Sequence, residues 1–183
     1  MKQSILVVDD EISMLKLLER IITEKTPYRV ESTNTSLEVP KLLDEKEYDL
    51  IITDLKMPGM DGMDILRLVK ERERKEEVII ITAFGELDSA LEALRIGVFD
   101  YLNKPFKKEM IINTVDRAMR WQKANRTVKH FSTIFDTEPF DEAGNAFKRE
   151  YVNRLAERYG GDEKIMAAKS DIPLESLKSF LTE

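Results

Sequence analysis

Residues 50–62 read LIITDLKMPGMDG. Four residues, apolar or β-branched, run straight into Asp54, and a loop with Pro58, Gly59 and the Asp61-Gly62 pair follows. An apolar run without alternation suits a strand buried on both faces, as in a parallel sheet. The same pattern recurs on either side. Residues 4–8, SILVV, end abruptly in Asp9-Asp10-Glu11; Val78 to Thr82 and Val98 to Leu102 are further runs, and a fainter one covers Arg29 to Thr33. Between them the apolar residues step by three and four, as on one face of a helix: Met14, Leu17, Leu18, Ile21 and Ile22; Ile65, Leu66 and Val69; Leu87, Leu91 and Leu94; Ile111, Val115, Ala118 and Met119. Segment 37–46 reads as a further helix, with Pro40 confined to its first turn. The order βαβαβαβαβα over about 120 residues predicts a doubly wound α/β fold with a five-stranded parallel sheet.

Composition narrows the function. The chain has 183 residues, room for one ordinary domain and a smaller piece. There is no cysteine, which excludes disulfide staples and thiolate metal sites. No apolar run approaches the roughly 20 residues that span a bilayer. The start, MKQSILVVDDE, leaves no room for a signal peptide, so a soluble cytoplasmic protein without membrane partners is expected. The net charge of −6 argues against general attraction to nucleic acid or anionic membrane.

In a doubly wound fold, ligands bind outside the carboxyl ends of the strands. The first strand ends in Asp9-Asp10, the third in Asp54, the fourth in Thr82-Ala83, and Lys104-Pro105 follows the fifth. Three carboxylates, a hydroxyl and an ammonium should therefore meet. Clustered carboxylates repel one another unless a cation lies among them, and an all-oxygen site with room for water suits Mg²⁺. Metal and ammonium together would clamp a phosphoryl group transferring to a carboxylate.

VVDDE, DLKMPGMDG at 54–62, TAFG at 82–85 and FDYLNKPF at 99–106 together resemble the receiver domain of two-component response regulators, of the nitrogen-regulation type, over residues 1 to about 122. The resemblance implies a flavodoxin-like (βα)5 receiver with Asp54 as phosphoacceptor. It makes Asp10, Asp54 and the Lys56 carbonyl ligands of Mg²⁺, with Asp9 holding its waters. Thr82 and Tyr101 become the switch pair, Ala83 adjoins the phosphoryl site, and Lys104 contacts the phosphoryl group. Lys56 and Phe84 would set the lifetime of the phosphorylated state, and Lys104-Pro105 would be cis. A histidine kinase would be the phosphoryl donor, and no enzyme activity beyond self-phosphorylation and slow self-dephosphorylation is expected. A Mg²⁺ phosphatase of the haloacid-dehalogenase kind is the remote alternative. It needs a second aspartate two residues after a nucleophile on the first strand, where this chain has Glu11, and it leaves Asp54 unexplained.

No proline or glycine lies between Pro105 and Pro139, so the helix beginning near Lys107 meets no breaker. Trp121, Ala124, Val128, Phe131 and Phe135 continue the spacing of a coiled-coil seam. This strip, 123–136 with its approach, reads as a connector that either forms a homodimer seam or folds back; His130 is part of its surface. Residues 137–183 read as three helices. Phe140, Ala143, Phe147, Tyr151, Leu155 and Tyr159 mark the first, stopped by Gly160-Gly161; Asp162 caps the second, and Pro173 opens the third. EYVNRLAERYGGD at 150–162, Ala167-Ala168, Ile172-Pro173 and Ser176-Leu177 resemble the Fis-type helix-turn-helix that closes many nitrogen-regulation-type regulators. No GxxxxGK phosphate loop occurs, so the ATPase usual between the two modules is not expected. From 126 to 183 nine Lys and Arg face eleven Asp and Glu, and the last helix offers Lys178 alone to DNA. Output through a protein partner is therefore the first expectation, and a DNA-binding transcriptional regulator the alternative.

Overall fold

Five strands form one parallel sheet in the order β2-β1-β3-β4-β5: β1 (Ser4–Val8), β2 (Arg29–Thr33), β3 (Leu50–Asp54), β4 (Glu77–Thr82) and β5 (Asp100–Asn103). In the computed structural model the described residues are 3–83, 87–137, 140–170 and 172–181; side chains are described outside 126–141, 143–144, 146–147, 150 and 180–181. The helices are α1 (Ile12–Lys25), α2 (Val39–Glu45), α3 (Gly62–Glu71), α4 (Leu87–Ile96), α5 (Lys108–Thr137), α6 (Phe140–Tyr159), α7 (Glu163–Ser170) and α8 (Leu174–Leu181). A 3₁₀ turn at Ser36–Glu38 precedes α2, and Pro40 sits in that helix's first turn, where no amide donor is missed.

Alternate strand residues point to opposite faces, so each apolar run feeds two cores. Ile5, Val7, Leu50, Ile52, Ile79 and Ile81 join α1 and α5 on one side. Leu6, Val8, Ile51, Val78 and Ile80 join α2, α3 and α4 on the other. Burial on both faces explains why these strands lack the alternation of a half-exposed sheet.

One expectation needs correction here, and one apolar stripe lies outside the core. The fifth strand starts at Asp100 instead of Val98, because Gly97 and Val98 form the turn that closes α4: Gly97 is left-handed (φ +101°), and the amides of Gly97 and Val98 both donate to the Ala93 carbonyl. In α4 the stripe Leu87, Leu91 and Leu94 is not core; these side chains are 74%, 43% and 60% exposed, and Ala93 is the residue buried.

The chain divides into two compact units, residues 1–124 and 125–183. In the second, Val152, Leu155, Met166 and Leu177 form a small core with Tyr159, Ala167 and Ile172 against it. Tyr151 is exposed and its neighbour Val152 takes the core position, one residue away from the predicted face. Asp162 caps α7 as expected, its carboxylate accepting from the amides of Lys164 and Ile165. Gly160 and Gly161 both adopt positive φ (65° and 77°), which stops α6. Among the described residues, no helix is long and apolar enough to cross a membrane.

Candidate functional site

The register places the ends of four strands side by side: Val8 pairs with Thr53, Asp54 with Ile81 and Thr82 with Asn103. The next residue or two of each strand therefore meet at one edge. There the Lys104 ammonium donates to Asp54 Oδ1 at 2.6 Å and to Asp9 Oδ2 at 3.0 Å. The other Asp54 oxygen, Oδ2, accepts from the Lys56 amide at 2.8 Å, and Asp9 Oδ1 accepts from the Glu11 amide at 2.9 Å. Asp9, Asp54 and Thr82 are buried, while Asp10, Lys56 and Ala83 are exposed. Thr82 reaches Lys104 through the backbone, its carbonyl accepting from the Lys104 amide at 2.7 Å, and Lys104-Pro105 is cis.

The electrostatics follow from this packing. Burial pushes the Asp9 carboxyl above the usual carboxylate range; Lys104 and the Glu11 amide oppose that shift, and the Asp54 charge adds to it. Burial alone would lower the Lys104 ammonium, but its hydrogen bonds to Asp54 and Asp9 carry it above the ordinary lysine value. Two carboxylates thus share one cation at a largely buried site, where charge is poorly screened.

Asp9, Asp54 and Lys104 are therefore brought together. Asp10 stands beside them at the surface, and among the described residues no three acidic or imidazole side chains form a ready cage for a metal. The donor set still fits Mg²⁺, which keeps several of its waters and needs only one or two carboxylates: Asp9 and Asp54 both present an oxygen to one cationic atom. Tyr101 is half-buried on β5, its hydroxyl 2.9 Å from Ser89 Oγ on α4. Phe84 and the side chain of His130 lie outside the described residues, as do those of Val128, Phe131 and Phe135; Trp121 is 53% exposed. Lys178 is exposed on α8 with its ammonium 3.8 Å from Glu163.

Sequence reasoning passed over three supports of the site. Gly62 closes the loop after Asp54: its amide donates to the Leu55 carbonyl, and a Cβ there would lie 2.5 Å from the Asp54 carbonyl oxygen. Asp61 and Asp64 form a reciprocal cap on α3, a signal legible as D-x-x-D before an apolar run. Ser36 reaches the same loop from a distant segment, and nothing local announces it.

The family model for the response regulator receiver domain matches residues 5–116. The DNA-binding transcriptional regulator NtrC of Proteus hauseri is 32% identical over 157 residues, 86% of this chain and 33% of that protein. A response regulator receiver domain protein from Clostridium thermocellum has a TM-score of 0.62 at 34% identity, covering 67% of this chain and 98% of that one. The beryllofluoride-activated NtrC4 receiver domain dimer has a TM-score of 0.61 at 33% identity, covering 65% and 98%. The chain spans about a third or less of the length of the curated relatives it matches.

Proposed function

The chain belongs to the response regulator receiver family, and from that premise we propose that it is a phosphorylation switch whose acceptor is Asp54. The observation that carries the reading is the Lys104 ammonium held by Asp54 and Asp9 at the mouth of the sheet, next to Thr82. An Asp54 oxygen attacks the phosphorus of a phosphohistidine on a kinase, or of a small acyl phosphate. The new O–P bond makes an acyl phosphate on Asp54 while the old P–N or P–O bond breaks, its electrons leaving on imidazole or carboxylate. Lys104 is released from the carboxylate charge to follow the phosphoryl oxygens, and the Thr82 hydroxyl donates to another of them. Mg²⁺, held by Asp10, Asp54 and the Lys56 carbonyl with Asp9 through water, would supply the remaining charge neutralisation. Tyr101 changes its packing as Thr82 moves. Phe84, lacking a polar atom to orient water, makes self-dephosphorylation slow.

Residues 1–122 act as receiver, 123–136 as connector and 137–183 as output module. The output reading rests on α8: its one lysine stands near Glu163, while Glu175 is exposed on the same short helix. Protein docking or dimerisation through this module therefore precedes sequence-specific DNA binding. The DNA reading draws on the name of the NtrC relative, which aligns over most of this chain. Selection of the phosphorylated protein against random duplexes at physiological salt separates the two; an enriched site lost on Lys178→Ala establishes the DNA reading.

For the switch itself, acetyl phosphate should label the protein only with Mg²⁺ present, and Asp54→Asn should abolish the label. Peptide mapping that put the label on Asp9 or Asp61 would refute the assignment.

A further inference from the structure

The loop from Asp54 to Gly62 carries the Lys56 backbone, yet it has no ladder to hold it. At its base the Gly62 amide bonds the Leu55 carbonyl. At its tip the support comes from outside. Ser36, in the 3₁₀ turn before α2 and only 3% exposed, donates its hydroxyl to the Pro58 carbonyl at 2.7 Å and accepts from the Met60 amide at 3.0 Å. One side-chain oxygen thus satisfies a donor and an acceptor on either side of Gly59, whose φ of +88° makes the turn between them. The adjacent Leu37 side chain covers Gly59 so closely that a Cβ there would lie 2.8 Å from Leu37 Cγ. A loop tip whose hydrogen-bond partners sit on another, buried segment is only as ordered as that segment.

We propose that Ser36 is a positioning residue for the phosphoacceptor loop. By bridging Pro58 and Met60 it fixes the backbone two residues beyond Lys56, and with it the direction of the Lys56 carbonyl and of the amide that holds Asp54 Oδ2. The inference rests on the reading of Asp54 as acceptor with Mg²⁺ beside it. Removing the hydroxyl takes no group away from Asp54, Asp9 or Lys104; it loosens the Lys56 backbone, which bound Mg²⁺ would hold in place, so the loss falls on metal affinity.

The test uses the full chain with Ser36→Ala, and Ser36→Gly should the alanine protein fail to fold. Mg²⁺ affinity is measured by calorimetry without any phosphodonor, and Met60 amide exchange by NMR. Asp54 labelling by acetyl phosphate is then followed across a Mg²⁺ series. The expected result is a Mg²⁺ affinity weaker by roughly fivefold or more, the lower end for loss of the two hydrogen bonds that the hydroxyl makes. Met60 exchange should be faster, and the labelling rate should return to that of wild type at saturating Mg²⁺. A general loss of stability would not produce that split. Unchanged Mg²⁺ affinity in a variant whose parent labels at Asp54 overturns the role of Ser36. A parent that takes no label at Asp54 overturns instead the reading on which it rests.

Discussion

Helices α3 and α4 flank the same face of the sheet, carry similar apolar spacing, and are seated in opposite ways. α3 buries Met63, Ile65, Leu66 and Val69, begins with a reciprocal Asp61–Asp64 cap, and presses Gly62 against the Asp54 carbonyl. α4 buries Ala93 alone and turns Leu87, Leu91 and Leu94 outward. Toward the core it offers only Ala93, buried, and Ile96, half-buried. Polar contacts hold it as well: Glu92 with Arg67 at 2.6 Å, and Ser89 with Tyr101. The pair of helices teaches that one part of this face of the sheet is covered by deep burial and the other by a shallow seat. The shallow side is the one that can move at modest cost, since local stability follows buried apolar contact.

The comparison can be broken at its strongest point first. Leu66→Ala should cost about 3 kcal/mol of unfolding free energy, because a fully buried leucine leaves both lost transfer energy and a cavity. Urea denaturation reads this directly, and a cost below about 1 kcal/mol would mean that α3 is not the rigid partner.

Lys104→Met comes next, at about 2 kcal/mol near neutral pH, less than the ~3–5 of a fully buried pair because the lysine is 16% exposed. Its pH dependence is the sharper signal. In the parent, the raised Lys104 value means that its contribution is complete below the ordinary lysine range and is lost as pH rises through the folded value. In the variant, Asp9 loses the lysine that lowers it, keeps the Glu11 amide, and keeps the burial and Asp54 charge that raise it. The native state then binds a proton more readily than the unfolded chain, so stability grows as pH falls towards that raised value. The deficit measured at pH 7 should narrow at pH 5, and a constant deficit would count against the shared cation.

Asp61→Ala should remove about 1 kcal/mol through loss of the cap on α3. Thermal unfolding measures it, and an unchanged midpoint would show that Gly62 and Leu66 anchor the helix unaided. The smallest effect belongs to α4: Leu91→Ser should stay within about 0.5 kcal/mol, since an exposed side chain loses little on becoming polar. A cost of 2 kcal/mol there would erase the contrast between the helices.

Much of this was legible before any coordinate. Runs ending in acid or hydroxyl at Val8, Thr53 and Thr82 identified the strands, since only burial on both faces tolerates unbroken apolar sequence. Parallel strands share one carboxyl edge, which put Asp9, Asp54 and Lys104 together. The outer stripe of α4 and the choice of Val152 over Tyr151 in α6 were not legible in that way. Periodicity fixes that a helix has an apolar side, but it does not tell which side the sheet will accept when small residues offer a closer fit.

By itself, then, the sequence determined the order of strands and helices, the acidic edge of the sheet and the capped start of α7. All of these depend on neighbours within a few residues, or on a period that the chain repeats. Tertiary structure alone decided that Lys104 bridges Asp9 to Asp54, that Ser36 holds a loop 22 residues downstream through Pro58, and that three leucines of α4 face water. Each of these is a contact between segments whose separation in the chain carries no local signal, and which of several chemically suitable partners is met depends on how the layers pack.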